Sequence, residues 1–376
     1  MPTLLVFSHL RWNFVYQRPQ HLLSRLAQRY PVVFFEEPMH TAGDARLESI
    51  TAAPGVTVLR PHTPVQAPGY ADAQMPVLRE LLAGYLAASD LEAPVYAWAY
   101  TPLALPLVET ARPARVIYDC MDALTHFKHA PPELAAREEA LMARADVVFC
   151  GGVSLYRARA DRHANIHCFP SSVDAEHFKP RVTAAADPQA HLARPRIGYC
   201  GVIDERIDLG LVREAALARP EWQFSLVGPV IKIDPAEVPA LPNVHAFGQQ
   251  PYEALPRYMA GWDVAMMPFA LNDATRFISP TKTLEYLAAG KPVVSTPVAD
   301  VVTSYQGVVE IVDSAAAFVA ACETLLAEEG ETRARRAAAM KKCVAATSWD
   351  KTAHDMAGLI DTLDAEETTT RRVAAV

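Results

Sequence analysis

The sequence has no apolar run near the roughly 18 residues needed to cross a bilayer. Its first eight residues also lack the charged segment and long apolar stretch of a secretion signal. A soluble, cytoplasmic protein is therefore expected. The six cysteines (Cys120, Cys150, Cys168, Cys200, Cys322 and Cys343) form no C-x-x-C pair, which points to reduced structural thiols and no local metal site. Basic residues are outnumbered, 35 Lys and Arg against 43 Asp and Glu, and the net charge of −8 argues against a nucleic-acid partner. Glycine is scarce, 16 against 30 prolines, which reads as short, well-stopped connections rather than flexible linkers. No G-x-G-x-x-G follows the first strand of either half, which speaks against a nicotinamide dehydrogenase.

What is present suffices for two cores. The chain has 376 residues, 51% hydrophobic and 21% charged, and at about 150 residues per domain that suggests two domains. Short apolar runs at 4–7, 32–35, 56–59, 95–98, 116–118, 147–150 and 166–169 alternate with helical patterns at 17–29, 72–88, 132–144 and 153–163. The runs are apolar throughout rather than alternating, as in parallel strands covered by helices on both faces. Residues 171–194, with prolines, charges and the small run Ala184–Ala186, interrupt the rhythm and read as a linker. The pattern restarts with strands at 197–200, 224–227, 244–246, 264–267, 292–295 and 309–312, with helices between and after them. The expected fold class is α/β: a first domain over 1–170, a second over 195–347, and a closing helix near 348–363 that crosses back to the first. Two doubly wound, Rossmann-like domains would turn the carboxyl ends of their strands to a central cleft, where ligands of open α/β sheets bind.

The chemistry concentrates in the segment Phe277–Ser295. Ser279 suits an N-cap, Pro280 the first helical position, and Gly290 the left-handed position past the helix end. Lys282 then falls in the first turn, the wrong end of the helix dipole for a cation unless an anion such as phosphate is bound there. Glu285 lies one turn deeper, about 4.5 Å along the axis, where a carboxylate can accept hydrogen bonds from a ribose diol. A phosphate at the tip and a ribose beside the helix describe a nucleoside diphosphate. An ordinary capped surface helix with a Lys282–Glu285 pair fits the same spacing.

In the first half, the loop Ser8–His21 follows strand one and would lie at the sheet's carboxyl edge. His9, Trp12, Gln17 and Arg18 combine a stacking surface with polar donors suited to a sugar or lipid phosphate. Equally, Trp12, Phe14 and Tyr16 could simply pack the loop down. Asp119 and Asp122, just past another strand, could include a general base, or Asp122 could cap the following turn. His126 is a further candidate near them.

The segment Ser279–Ser295 closely resembles the donor-binding helix of GT-B glycosyltransferases of the family 4 type, with their S-P-x-K-x-x-E-Y-x-A-x-G-x-P-V pattern. Phe169-Pro-Ser-Ser-Val-Asp174 with Phe178 is similar to the family's interdomain P-N-G-V-D-x-x-x-F. Ile197–Arg206, Leu226–Pro229, Val244–Gly248 and Ser348-Trp349-Asp350 resemble its later strands and closing helix. The nearest relatives suggested are envelope-polysaccharide transferases of the teichuronic-acid and xanthan-assembly kinds.

The resemblance implies that Lys282 and Arg206 contact the diphosphate and Glu285 the ribose. Thr281, Ser279, Pro280 and Gly201 would complete the donor surface, with Phe247 and Gly248 near the base. It also implies Asp122 as catalytic base, no metal or other cofactor, and a UDP-sugar as co-substrate. The acceptor would be a glycan or lipid-linked glycan, with peripheral contact at the inner membrane leaflet. The family's first glutamate is missing, since Phe277 occupies its position. A non-hydrolysing nucleotide-sugar 2-epimerase and an inactive sugar-nucleotide-binding homologue are the alternatives.

Overall fold

A computed structural model describes residues 1–89, 94–180 and 187–374, with side chains described through 363. The expected run Ala184–Ala186 lies outside the described residues. Two compact units divide the chain: Met1–Pro170 with Trp349–Val376, and Ser171–Ser348.

Among the described residues the first unit is built on nine strands: β1 (Thr3–Ser8), β2 (Val32–Glu36), β3 (Met39–His40), β4 (Arg46–Ala53), β5 (Val56–Thr63), β6 (Val95–Ala99), β7 (Arg115–Cys120), β8 (Val147–Cys150) and β9 (Ile166–Cys168). They lie in the order β3-β5-β2-β1-β6-β7-β8-β9, with β4 paired to β5. Every residue of β1, β2 and β8 is buried, which is why these strands read as unbroken apolar runs. The helices are α1 (Arg18–Leu26), α2 (Met75–Ala88), α3 (Leu105–Ala111), α4 (Glu133–Arg144) and α5 (Val153–Arg157).

The antiparallel strand β4 departs from the all-parallel expectation. Its sequence Arg-Leu-Glu-Ser-Ile-Thr-Ala-Ala is largely exposed and carries no buried run to announce it. The turn into β5 uses Gly55 at φ +74°, where a Cβ would meet the Ala27 carbonyl oxygen at 2.8 Å. Only glycine fits there.

Among its described residues the second unit holds six parallel strands: β10 (Arg196–Cys200), β11 (Gln223–Val227), β12 (Val244–Ala246), β13 (Val264–Met267), β14 (Val293–Ser295) and β15 (Glu310–Ile311). Their order is β12-β11-β10-β13-β14-β15. Strands are added on one side of β10 and then on the other, so the carboxyl ends of β10 and β13 flank the topological switch point. Helices α6 (Ala175–Phe178), α7 (Leu209–Ala218), α8 (Leu255–Ala260), α9 (Thr281–Ala288), α10 (Ala299–Tyr305), α11 (Ala315–Ala327) and α12 (Gly330–Ala345) complete it.

The stretch expected to be a linker is partly structural. Asp174 caps α6 through the His177 amide, and Val173 and Phe178 are buried in the second unit's core. Two apolar anchors were hidden among prolines and charges. The closing helix α13 (Trp349–Ala374) packs in the first unit. There Trp349 stacks on His21 with ring centroids 4.9 Å apart, and Met356, Ile360 and Leu363 are buried in the core with Leu22 and Leu23 of α1.

Candidate functional site

Helix α9 begins one residue later than its sequence suggests. Pro280 is the N-cap in extended conformation, Thr281 is the first helical residue, and Ser279 stands outside. The Ser279 carbonyl accepts a hydrogen bond from Ser171 Oγ at 3.2 Å instead of its side chain capping the helix. At the far end, Gly290 at φ +69° closes a Schellman motif. The Lys291 amide donates to the Tyr286 carbonyl and the Gly290 amide to the Leu287 carbonyl. Leu284, Tyr286 and Leu287 face the core.

Tyr286 fixes this helix to the sheet. Its hydroxyl accepts from the Cys200 amide at 2.7 Å and donates to the Cys200 carbonyl at 3.1 Å. Cys200 is the last residue of β10, so the clamp sets α9 at the carboxyl edge of the central strand, at the switch point. Lys282 lies close enough to draw the Cys200 thiol down, although burial wins and pushes that thiol up to about 11. Lys282 Nζ donates to Glu285 Oε2 at 2.7 Å, with the two side chains 15% and 5% exposed. Burial penalises the Lys282 cation, but the Glu285 carboxylate more than offsets this and holds the ammonium above its ordinary value. The Lys282–Glu285 pair that an ordinary capped helix would also carry is thus made, here largely buried.

The loop after β10 brings Arg206 to the same edge. Its Nε donates to both Asp204 carboxylate oxygens, at 2.9 and 3.1 Å, and its Nη2 to Oδ2 at 2.8 Å. This loop is tied to the one after β13: the Ala270 amide donates to the Arg206 carbonyl at 2.8 Å, and Asn272 Nδ2 to the Glu205 carbonyl at 2.8 Å. Lys282 and Arg206 therefore each carry a carboxylate partner close in sequence.

Three glycines line the neighbouring strand ends. The Gly201 amide donates to the Val227 carbonyl and the Gly228 amide to the Gly248 carbonyl. A Cβ on Gly228 would sit 1.8 Å from the Gly201 oxygen, whereas one on Gly248 would meet nothing within 4 Å. Gly201 and Gly228 are thus required by close packing within the protein, and Gly248 alone of the three faces open space. Phe247, half-buried, stands edge-on to Tyr258 with centroids 5.3 Å apart, and Gly248 is exposed.

In the first unit the expected acceptor residues divide. Trp12 is 8% exposed and packs edge-on against Phe34, so it belongs to the core and offers no stacking surface. Arg18 and Asp119 are also interior, 3% and 0% exposed. The Arg18 Nε and Nη2 donate to Asp119 at 2.9–3.1 Å, and Nη1 to the Phe169 carbonyl at 2.8 Å. Burial opposes the Arg18 cation, and Asp119 overcomes it, leaving the guanidinium above its ordinary value. The pair ties the start of α1 to the end of β7 and is not open to an acceptor. A sequence pattern cannot show that two charges at strand and helix ends, 101 residues apart, satisfy each other.

Gln17, His9, Asp122 and His126 stay at the edge, all partly exposed. The Gln17 amide donates to Gln20 Oε1 at 3.0 Å. Asp122 is held by the turn after β7, where its carbonyl accepts from the Cys120 thiol at 3.7 Å. His126 Nδ1 lies 3.1 Å from Thr125 Oγ1.

Sequence reasoning missed Tyr286, Asp204 and Gly228. All three lay within the family-like segments, but only three-dimensional contacts show the clamp, the carboxylate behind Arg206 and the close crossing. Among the described residues no group of three His, Cys, Asp or Glu side chains is placed to hold a metal ion, and no helix is long and apolar enough to cross a membrane.

Residues 194–328, within the second unit, match the family described as "Glycosyl transferases group 1". The putative teichuronic acid biosynthesis glycosyltransferase TuaH of Bacillus subtilis (strain 168) is 29% identical over 242 residues, covering 58% of this chain and 60% of that protein. The match thus spans about three-fifths of this relative's length. Among solved structures, sucrose-phosphate synthase from Thermosynechococcus elongatus aligns with a TM-score of 0.77 at 18% identity, over 97% of this chain and 100% of that one. Anabaena HepE in complex with UDP and glucose aligns at 0.70 and 13% identity, over 96% and 100%. The Escherichia coli trehalose-6-phosphate structure bound with UDP-2-fluoro glucose aligns at 0.69 and 13%, over 96% and 98%. These likenesses show the fold.

Proposed function

We propose, on the premise that the chain is a GT-B, family 4-like member of the group 1 glycosyltransferases, that it transfers a sugar from a nucleotide-sugar donor to an acceptor hydroxyl. The donor in this reading is a UDP-sugar, and the acceptor a hydroxyl of an envelope glycan or its lipid-linked precursor. The observation that carries the proposal is Lys282 in the first turn of α9, clamped by Tyr286 to the end of β10, with Glu285 one turn deeper. The UDP and UDP-sugar named with two structural neighbours support the choice of nucleotide, and the family match favours transfer over epimerisation.

In this reaction the bond from the anomeric carbon to the β-phosphate oxygen breaks and a bond to the acceptor oxygen forms. Negative charge develops on the leaving diphosphate. Lys282 donates one hydrogen bond to Glu285 and keeps two N–H donors for phosphate. Arg206, preset by Asp204, would add a second cation, and the amides at the start of α9 add the helix dipole. Glu285 would accept from the ribose. Asp122 would take the acceptor proton in an inverting transfer, and the acceptor chain would bring the protein to the surface of the cytoplasmic membrane.

Thermal-shift titration with UDP-, GDP- and ADP-sugars, followed by UDP release with and without a glycan acceptor, tests this reading. A matching nucleotide at 100 times its Kd should add about 2.7 kcal/mol of stability. If no nucleotide stabilises the protein, the proposal fails.

A further inference from the structure

A second basic site lies at the opposite, amino-terminal edge of the second sheet. Arg194 precedes β10, Asp263 precedes β13 and Lys291 precedes β14. The junction of α11 and α12 closes a cavity of about 340 Å³ over them, with Pro292, Leu325 and Met340 among its lining. That volume is at the lower end of the range for small-molecule sites.

The charges of the lining do not balance. Arg194 is paired with Asp263, and Arg336 is committed to Glu328 at 2.6 Å and Glu310 at 2.9 Å. Lys291 and Arg333 make no ion pair among the described residues, and the four cations here face three carboxylates, Asp263, Glu328 and Glu310. Lys291 Nζ donates to the Ala260 and Trp262 carbonyls at 3.0 and 2.8 Å, which leaves one N–H donor on a side chain lining the cavity. Its position is electrostatically costly: burial, and then Arg194 and Arg333, draw the ammonium below its ordinary value against the pull of Asp263. Arg333 in turn lies near the start of α12 (Gly330–Ala345), the less favourable end for a cation, with Glu331 in the first turn beside it. Four cations and two carboxylates, Asp263 and Glu328, thus line one small space with an apolar floor.

We propose that this cavity binds the phosphomonoester of a small metabolite, whose phosphate oxygens accept from Lys291 and Arg333 and whose carbon skeleton lies on Pro292, Leu325 and Met340. The site is separate from the switch point, so its occupancy does not depend on the donor chemistry proposed above.

Calorimetric titration of the full chain with glucose 6-phosphate, at constant ionic strength, tests the assignment. Saturable binding of one molecule is expected. Arg333→Glu, an exposed substitution, should weaken it by at least about tenfold while thermal stabilisation by UDP stays at its wild-type value. Glucose without phosphate should not bind. Co-sedimentation with vesicles carrying phosphatidylinositol 4-phosphate distinguishes a lipid headgroup from a soluble ligand: stronger retention on vesicles than binding of glucose 6-phosphate would overturn the metabolite assignment. Absence of saturable binding, or equal binding by Arg333→Glu, would overturn the site itself.

Discussion

Replacing Lys282 with alanine should injure the protein in two separable ways. The ammonium lies 2.7 Å from Glu285, whose side chain is 5% exposed against 15% for the lysine. At an effective dielectric of about 20, unit charges at that separation attract by about 6 kcal/mol before desolvation is counted. Removing one member of a fully buried pair costs about 3–5 kcal/mol. The partial exposure of Lys282 lowers that to about 2–3 kcal/mol, or about 4–12 °C in Tm for a unit of this size. Turnover should fall much further, by about 10²–10³, the effect of losing one contact to a developing oxyanion. Differential scanning fluorimetry and UDP release at saturating donor read the two effects. Lys282→Met combined with Glu285→Gln removes both charges and should recover most of the lost Tm without recovering turnover. Turnover of Lys282→Ala within about threefold of wild type, or its return in the doubly neutral variant, would reduce Lys282 to a structural partner and refute the reasoning.

Gly228→Ala should destabilise the second unit by about 3–5 kcal/mol, because left-handed strain adds to a collision with the Gly201 oxygen. Gly248→Ala, also at positive φ but facing open space, should cost only about 1–2 kcal/mol; urea unfolding compares the two. Arg18→Ala should cost about 3–5 kcal/mol by stranding Asp119 in the core, and Arg18→Asn/Asp119→Asn should be less damaging, which a double-mutant cycle measures. Asp122→Asn should abolish sugar transfer while leaving UDP binding intact, and surviving transfer would point to a retaining mechanism without a base at this position. The Arg336 guanidinium holds Glu328 below its ordinary value. A carboxylate depressed in the folded state contributes stability above its unfolded value and loses it as pH falls through the folded one. Glu328→Gln should therefore flatten the loss of Tm on acidification below roughly pH 4.5, measured against wild type.

Most of the α/β skeleton was legible because its strands are buried on both faces and write themselves as apolar runs: Leu4–Phe7 and Val147–Cys150 are examples. The strand at Arg46–Ala53 was not, since its solvated edge position imposes no apolar pattern. At the site, Lys282 was legible through an electrostatic misfit, which is a local property of sequence and helix position. Arg18 and Asp119 misled for the converse reason: their mutual satisfaction depends on β1 and β7 converging on one sheet, with α1 starting at its edge. Val173 and Phe178 were likewise obscured, because two anchoring side chains are a weaker signal than the prolines around them.

The discontinuity of the first unit also sets a timetable. Its core needs Trp349, Met356, Ile360 and Leu363 against α1, yet residues 171–348 of the other unit must be synthesised in between. At about 5–20 residues per second the ribosome takes about 10–40 s over that interval. During this time Leu22, Leu23 and their neighbours have no covering helix, while the second unit, continuous in sequence, is free to close. The newborn chain thus carries an adhesive patch for tens of seconds, and its yield in a cell depends on what shields that patch until Trp349 arrives.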